Sequence, residues 1–158
     1  MASSQEESNF YRVVAIVVDI STAVFRDLLT AHVPPSNLLS QVNNIPPKVK
    51  NKNLSAQQHN DISIAANCSR SYAGFDSTLC YFLLRNLCPS LEPTEKWGKT
   101  PIKKNNTNPG DDIERLRIYR NEMFAHAASA SLSIGAYVQF IKEIGAVYAR
   151  FDLYCAPR

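Results

Sequence analysis

Apolar residues recur along this chain at helical spacing almost everywhere a regular spacing exists. From Phe10 to about His32 they fall at Val14, Val17, Val18, Ile20, Val24, Leu28 and Leu29 and stop at Pro34-Pro35. This predicts a first long helix and leaves residues 1–9 as a flexible N-terminus. Ser36 to Asn53 is polar and rich in Asn and Pro, so it reads as a loop with at most one helical turn near Leu38 to Val42, its basic run Lys48, Lys50 and Lys52 being solvated. Ser55 and Gln58 have the spacing of a capping box and open a second helix to about Asn67. Asp76 to Leu87 carries Leu79, Phe82, Leu83 and Leu87 on one side, giving a third helix, the most buried of the set, that ends at Cys88-Pro89. A last helix, Ser133 to Leu153, places Phe140, Ile144, Val147 and Phe151 at heptad-like spacing after a small-residue turn at Ala127 to Ser131.

Between the third and last helices lies Ser90 to Gly110, a long polar stretch with Trp97 as its one large anchor and Lys96, Lys99, Lys103 and Lys104 around it. Trp97 pins an irregular connection with its lysines in water; in a sharper reading, the lysines hold an RNA backbone and Trp97 offers a stacking face. Pro109-Gly110 closes the stretch, and Asp111 with Glu114 gives a second capping signature, with acids at the positive end of the following helix. The pattern predicts an all-α fold: a bundle of four principal helices with long irregular connections, forming a single domain over residues 10–155.

The helix from Asp111 carries the densest chemistry. At about 100° per residue, Ile113, Leu116, Arg120, Met123 and Ala127 share one quadrant of its surface, so Arg120 stands in an apolar stripe. A guanidinium in such a place needs either an acidic partner, Asp76 or Asp111, or a cleft that receives an anion. His126 follows six residues later, either as a proton carrier at neutral pH or as a helix C-terminal cation favoured by the dipole. Arg115 and Arg117 read as surface charges paired with Asp111 and Glu114, and Tyr119 either stacks a base or packs. Arg85-Asn86 echoes Arg120-Asn121 on another helix but has no histidine six residues on, and reads as a buried polar clamp.

Composition changes this picture little. A chain of 158 residues, 45% apolar, builds a real core. A formal charge of +3 permits a nucleic-acid partner without indicating one. The four cysteines, Cys68, Cys80, Cys88 and Cys155, have neither C-x-x-C spacing nor a histidine at finger-like distance, which argues against zinc and for reduced thiols in a cytoplasmic protein. The N-terminal segment is acidic where a secretory signal is basic, Ala2 stands where myristoylation needs glycine, and Val13 to Val18 is far short of the ~20 residues of a membrane span.

Phe75 to Leu87, then Trp97 and Pro101, then Ile113 to Arg117, Tyr119 to Glu122 and Ala125 to Ala127 form an ordered set that resembles the HEPN domain of the DAZ-interacting E3 ubiquitin ligase and its animal relatives. The resemblance covers roughly Leu54 to Phe151; Phe124 stands where relatives often have a tyrosine. In HEPN ribonucleases an arginine, a following polar residue and a histidine four to six residues on form the catalytic motif, so the resemblance implies Arg120, Asn121 and His126 in those roles. Arg120 would hold phosphate charge, His126 would move the proton and Asn121 would orient either, with no metal or other cofactor required. Six residues put His126 about 120° around the helix from Arg120, and HEPN proteins resemble one another in bringing motifs from two chains to a shared cleft. A homodimer, or a heterodimer with a related HEPN domain, is therefore expected, with single-stranded or looped RNA contacted by Lys99, Lys103, Lys104, Arg117 and Tyr119. The resemblance equally allows a non-catalytic homotypic, protein-interaction or RNA-sensing module of a ubiquitin or innate-immune signalling pathway.

Overall fold

A computed structural model of the chain describes residues 3–68, 71–125 and 127–155. Those residues are helical or irregular, with no strand among them, and form two compact units: the residues up to Ser21 with those from Pro93 onward, and Thr22–Glu92. None of the described helices is long and apolar enough to cross a membrane.

In the first unit, α1 (Ser4–Ala15) begins six residues before Phe10, so residues 4–9 are helix rather than a flexible lead. The reason is a complete capping box: Ser3 Oγ accepts from Glu6 N, and Glu6 Oε2 accepts from Ser3 N. Asn9 is buried and donates to the Leu132 carbonyl, tying this turn to the start of the last helix. A π-helical turn, Ile16–Ile20, follows. π turns free carbonyls from their regular partners. Here Tyr148 donates to Ile16 O at 3.3 Å, and its hydroxyl lies 3.2 Å from Ser21 Oγ. With α1 pack α7 (Pro109–Ala125) and α8 (Ile134–Tyr154), around Phe10, Val13, Val17, Ile113, Leu116, Phe140, Ile144, Val147 and Phe151. The α8 helix matches its predicted span, with Ser133 Oγ capping Ala136 N.

The first turns of α7 bury three carboxylates completely: Asp111, Asp112 and Glu114. Burying an ion is costly unless donors surround it. Asp111 accepts from Thr94 N and Oγ1, both at 2.8 Å, and from Asn108 N. Asp112 receives Arg115 Nη1 at 2.8 Å and a bidentate Arg150 from α8, both of its bonds 2.6 Å. Glu114 accepts from Gly98 N and holds Arg117. Gly98 has φ 81°, a left-handed conformation that glycine adopts without strain and that accompanies the N–H reaching Glu114. These bonds stitch the irregular segment 93–108 onto α7, the anchoring task that the sequence assigns to Trp97. The cap also differs from expectation: Asn108 Oδ1 accepts from Asp111 N while Asp111 accepts from Asn108 N, so the box is Asn108/Asp111, one turn before Asp111/Glu114.

In the second unit, α2 (Ser21–His32, in this unit from Thr22) and α3 (Leu38–Asn43) precede α4 (Pro47–Asn53), α5 (Ala56–Cys68) and α6 (Ser77–Leu87). Residues 36–53, predicted as a loop with one turn at most, thus carry two helices. Pro47 occupies the first position of α4, where a missing N–H costs nothing, so Pro46-Pro47 starts a helix instead of preventing one. The Ser55/Gln58 box forms as predicted, and Asp76 caps α6 through Leu79 N at 2.7 Å while receiving Gln58. Leu79, Cys80, Leu83 and Leu84 are fully buried, and Tyr72 donates to the Val33 carbonyl at 2.6 Å just past α2. Cys80 and Cys88 are buried free thiols, both pushed up by burial, Cys80 to about 12 and Cys88 to about 11.

Two tests follow from this packing. Asp112→Ala leaves Arg150 and Arg115, 27% and 12% exposed, without the carboxylate that both bind; loss of one partner of a buried ion pair costs up to about 3–5 kcal/mol, read as a lower midpoint in urea denaturation. Lys103→Ala, which breaks only the exposed pair with Glu95, leaves the midpoint where it is. Tyr72 is raised from 10.0 to about 12, first by burial, so the folded state holds this proton more tightly than the unfolded chain. Its contribution is complete below pH 10 and is lost as the pH rises from there to about 12, and Tyr72→Phe removes that part of the alkaline slope of stability measured by denaturation at a series of pH values.

Candidate functional site

The stripe that holds Arg120 leaves the core as α7 proceeds. Ile113 and Leu116 are buried, Arg120 and Met123 are half-buried, and Ala127 is exposed. Arg120 therefore stands where apolar packing gives way to solvent. Its guanidinium carbon lies 5.3 Å from the centre of the Phe124 ring, one turn along the same helix, a cation–π arrangement. Both residues line an apolar groove of about 210 Å³, with Phe10, Val14 and Val17 on one wall and Met123 and Ala127 on the other. Tyr11 and Phe124, 63% and 56% exposed, stand at its mouth. The carboxylates that the sequence offers Arg120 are occupied otherwise: Asp111 by Thr94 and Asn108, and Asp76 by Leu79 N and Gln58. Asn121 is exposed on the next position. His126 lies outside the described residues.

The residues selected for RNA contact have different fates. Arg117 places Nε and Nη2 on Glu114 at 3.1 and 2.8 Å with its side chain 22% exposed, so it is a clamp on a buried carboxylate. Arg115, 12% exposed, bridges Asp112 and the Lys103 carbonyl. Neither is the surface charge that helical spacing suggests, and the partner of Arg115 is Asp112 rather than Asp111. Tyr119 packs: its ring meets Phe140 edge-on at 5.3 Å, its hydroxyl donates to Glu143, and burial pushes it up to about 12. Lys103 pairs with Glu95, which holds the ammonium above and the carboxyl below their usual ranges. Lys99 and Lys104 are exposed.

One cluster escaped the sequence reading. Arg85 and Asn86 are exposed rather than forming a buried clamp, and with Lys52 they line a groove of about 490 Å³ in the second unit. The signal was present in the spacing of α6: Thr78, Tyr81 and Arg85 fall at i, i+3 and i+7, a stripe opposite Leu83 and Leu87 with Phe82 at its border.

Over residues 35–152, which are 118 of the chain's 158, the sequence matches the family described as DZIP3/hRUL138-like HEPN. No curated protein and no solved structure matches it. The match takes in α3 through most of α8, and with them the helix that carries Arg120 and Asn121. The chain belongs to the DZIP3/hRUL138-like HEPN family.

Proposed function

We propose that this HEPN domain is an RNA-binding, metal-independent endoribonuclease of the cytoplasm, in which Arg120, Asn121 and His126 of two copies meet at a shared cleft. The observation that carries the reading is the placement of Arg120 at the open apolar groove, stacked on Phe124, with Asn121 exposed beside it. A guanidinium is weakly hydrated, so it tolerates an apolar wall, and its planar charge suits a phosphate. The ribose 2′-hydroxyl attacks the adjacent phosphorus, His126 takes the proton, and the 5′-oxygen leaves with a proton returned by the second copy's His126. The products are a 2′,3′-cyclic phosphate and a 5′-hydroxyl. Arg120 holds the added negative charge of the phosphorane. Two copies follow from the spacing of the motif, six residues being about 120° on a regular helix, and an apolar groove flanked by exposed Tyr11 and Phe124 is a surface that association covers. The same groove supports a second reading, a homotypic interaction module of a ubiquitin or innate-immune pathway that uses the motif for binding alone.

Purified protein is incubated in EDTA with labelled single-stranded RNA beside Arg120→Ala, His126→Ala and Phe124→Glu, with the mass of each measured by light scattering. Cleavage survives the chelator, leaves cyclic-phosphate ends and falls by about 10²–10⁴-fold in the first two variants, which remain dimers. Phe124→Glu is monomeric and inactive. A well-formed dimer that cuts nothing sinks the nuclease and leaves the interaction module; a fully active monomer sinks the shared cleft.

A further inference from the structure

A groove lies between α4 and α6 of the second unit. From α4 it takes Lys52 and Asn53, and from α6 Tyr81, Phe82, Arg85 and Asn86, with no carboxylate in its lining. Lys52 and Arg85 are exposed, and neither forms an ion pair among the described residues. Lys48 and Lys50 add charge on the same short helix, which has no acid of its own. Asp76, at the far end of α6, is occupied by Leu79 N and Gln58.

The two amides are pre-set. Asn53 Nδ2 donates to Val49 O and Asn86 Nδ2 to Phe82 O, both at 2.8 Å and both back along their own helices. Each therefore keeps its oxygen and one remaining N–H for a ligand, a donor and an acceptor on one planar group, which is the complement of a base edge. Tyr81 supplies aromatic surface beside the cations, and the buried Phe82 closes the groove beneath it. Asn86 also lines a second hollow of about 280 Å³ that bears Gln41 and Asn44.

We propose that this groove is a second, non-catalytic binding site for a single strand of RNA, with Lys52 and Arg85 on its phosphates and the Asn53 and Asn86 amides against base edges. Cations, aromatic rings and amides along one track are what sequence-tolerant single-strand recognition uses. The site stands apart from the cleavage motif in sequence and does not require that the chain cut RNA.

The full chain carrying Arg120→Ala and His126→Ala, which silences the motif, is titrated into a fluorescent single-stranded RNA octamer and followed by anisotropy. The added pair Lys52→Glu and Arg85→Glu weakens binding at least tenfold, with the helical circular dichroism unchanged. The slope of log affinity against log salt falls by about 1.4, two phosphate contacts at ~0.7 each for a single strand. The milder pair Lys52→Gln and Arg85→Gln gives an intermediate loss. Competition arms separate the sources: displacement by a second octamer but not by uridine or adenosine monophosphate assigns the groove to a strand, whereas equal displacement by a monophosphate assigns the same phosphate-and-base chemistry to a free nucleotide. Unchanged octamer affinity in the folded charge-reversed protein overturns the proposal, as does displacement by an acidic phosphopeptide alone. Octamer binding lost with these substitutions, in a protein that never cleaves, upholds the groove while removing the nuclease.

Discussion

Three ions in the first two turns of α7 dictate much of the first unit. Asp111, Asp112 and Glu114 are fully buried, and a buried carboxylate without donors is among the most costly features a protein interior can hold. The helix can enter the core only if the segment 93–108 folds over it to supply Thr94, Asn108 and Gly98, and if α8 supplies Arg150. The loop and α8 in turn place these donors on α7. The requirement is mutual, and it converts a polar, proline-bearing connection into an ordered part of the unit. Apolar burial around Ile113 and Leu116 then supplies the non-directional attraction, while the charged bonds select one register of α7 against its neighbours.

The consequence for the candidate site is a helix with two different ends. Glu114 and Arg120 are six residues apart, about 9 Å of rise, so a rigid clamp stands close behind a groove that is still open. The clamp also consumes the nearer cations. Arg115 and Arg117 neutralise buried acids, which leaves Arg120, on Phe124, as the arginine of α7 directed toward the groove. An arginine on a clamped helix and an aromatic platform is oriented in the free protein, and such preorganisation lowers the reorganisation that binding any ligand there demands.

What the sequence made legible follows from how local each signal is. The spans of α5, α6 and α8 emerge from periodicity plus a cap whose hydrogen bonds join residues three apart, Ser55 with Gln58, Asp76 with Leu79 and Ser133 with Ala136. The long first helix is legible apart from its start, because Ser3/Glu6 is polar and lies ahead of the apolar run. Where a signal has two meanings, the alternative prevailed: Pro46-Pro47 breaks a chain or begins a helix, and the short segment after it has no buried residue to mark it as helical. Asp111 and Glu114 read as a capping pair at the positive end of the helix because local pattern cannot register donors arriving from Thr94, Gly98 and Arg150, all at least 16 residues away. The same blindness assigned Arg85 to the interior, since helical spacing gives a face without saying whether that face is covered.

The charge of α4 has a local cause as well as a possible use, and the two can be separated by position. A seven-residue helix is marginal by itself, and cations in its last turn, Lys50 and Lys52, offset the negative end of the dipole; Arg85 stands likewise in the last turn of α6. Dipole complementation accounts for cations near helix ends but is indifferent to which face they occupy. Lys52 shares its face with Val49 and Asn53, at i, i+3 and i+4, and this is the face that meets Tyr81, Phe82 and Arg85 in the groove. Lys52 from α4 and Arg85 from α6 line the same cleft, a placement that neither helix end requires. An anion in that cleft is attracted by both cations at once, which cations turned to open water do not offer.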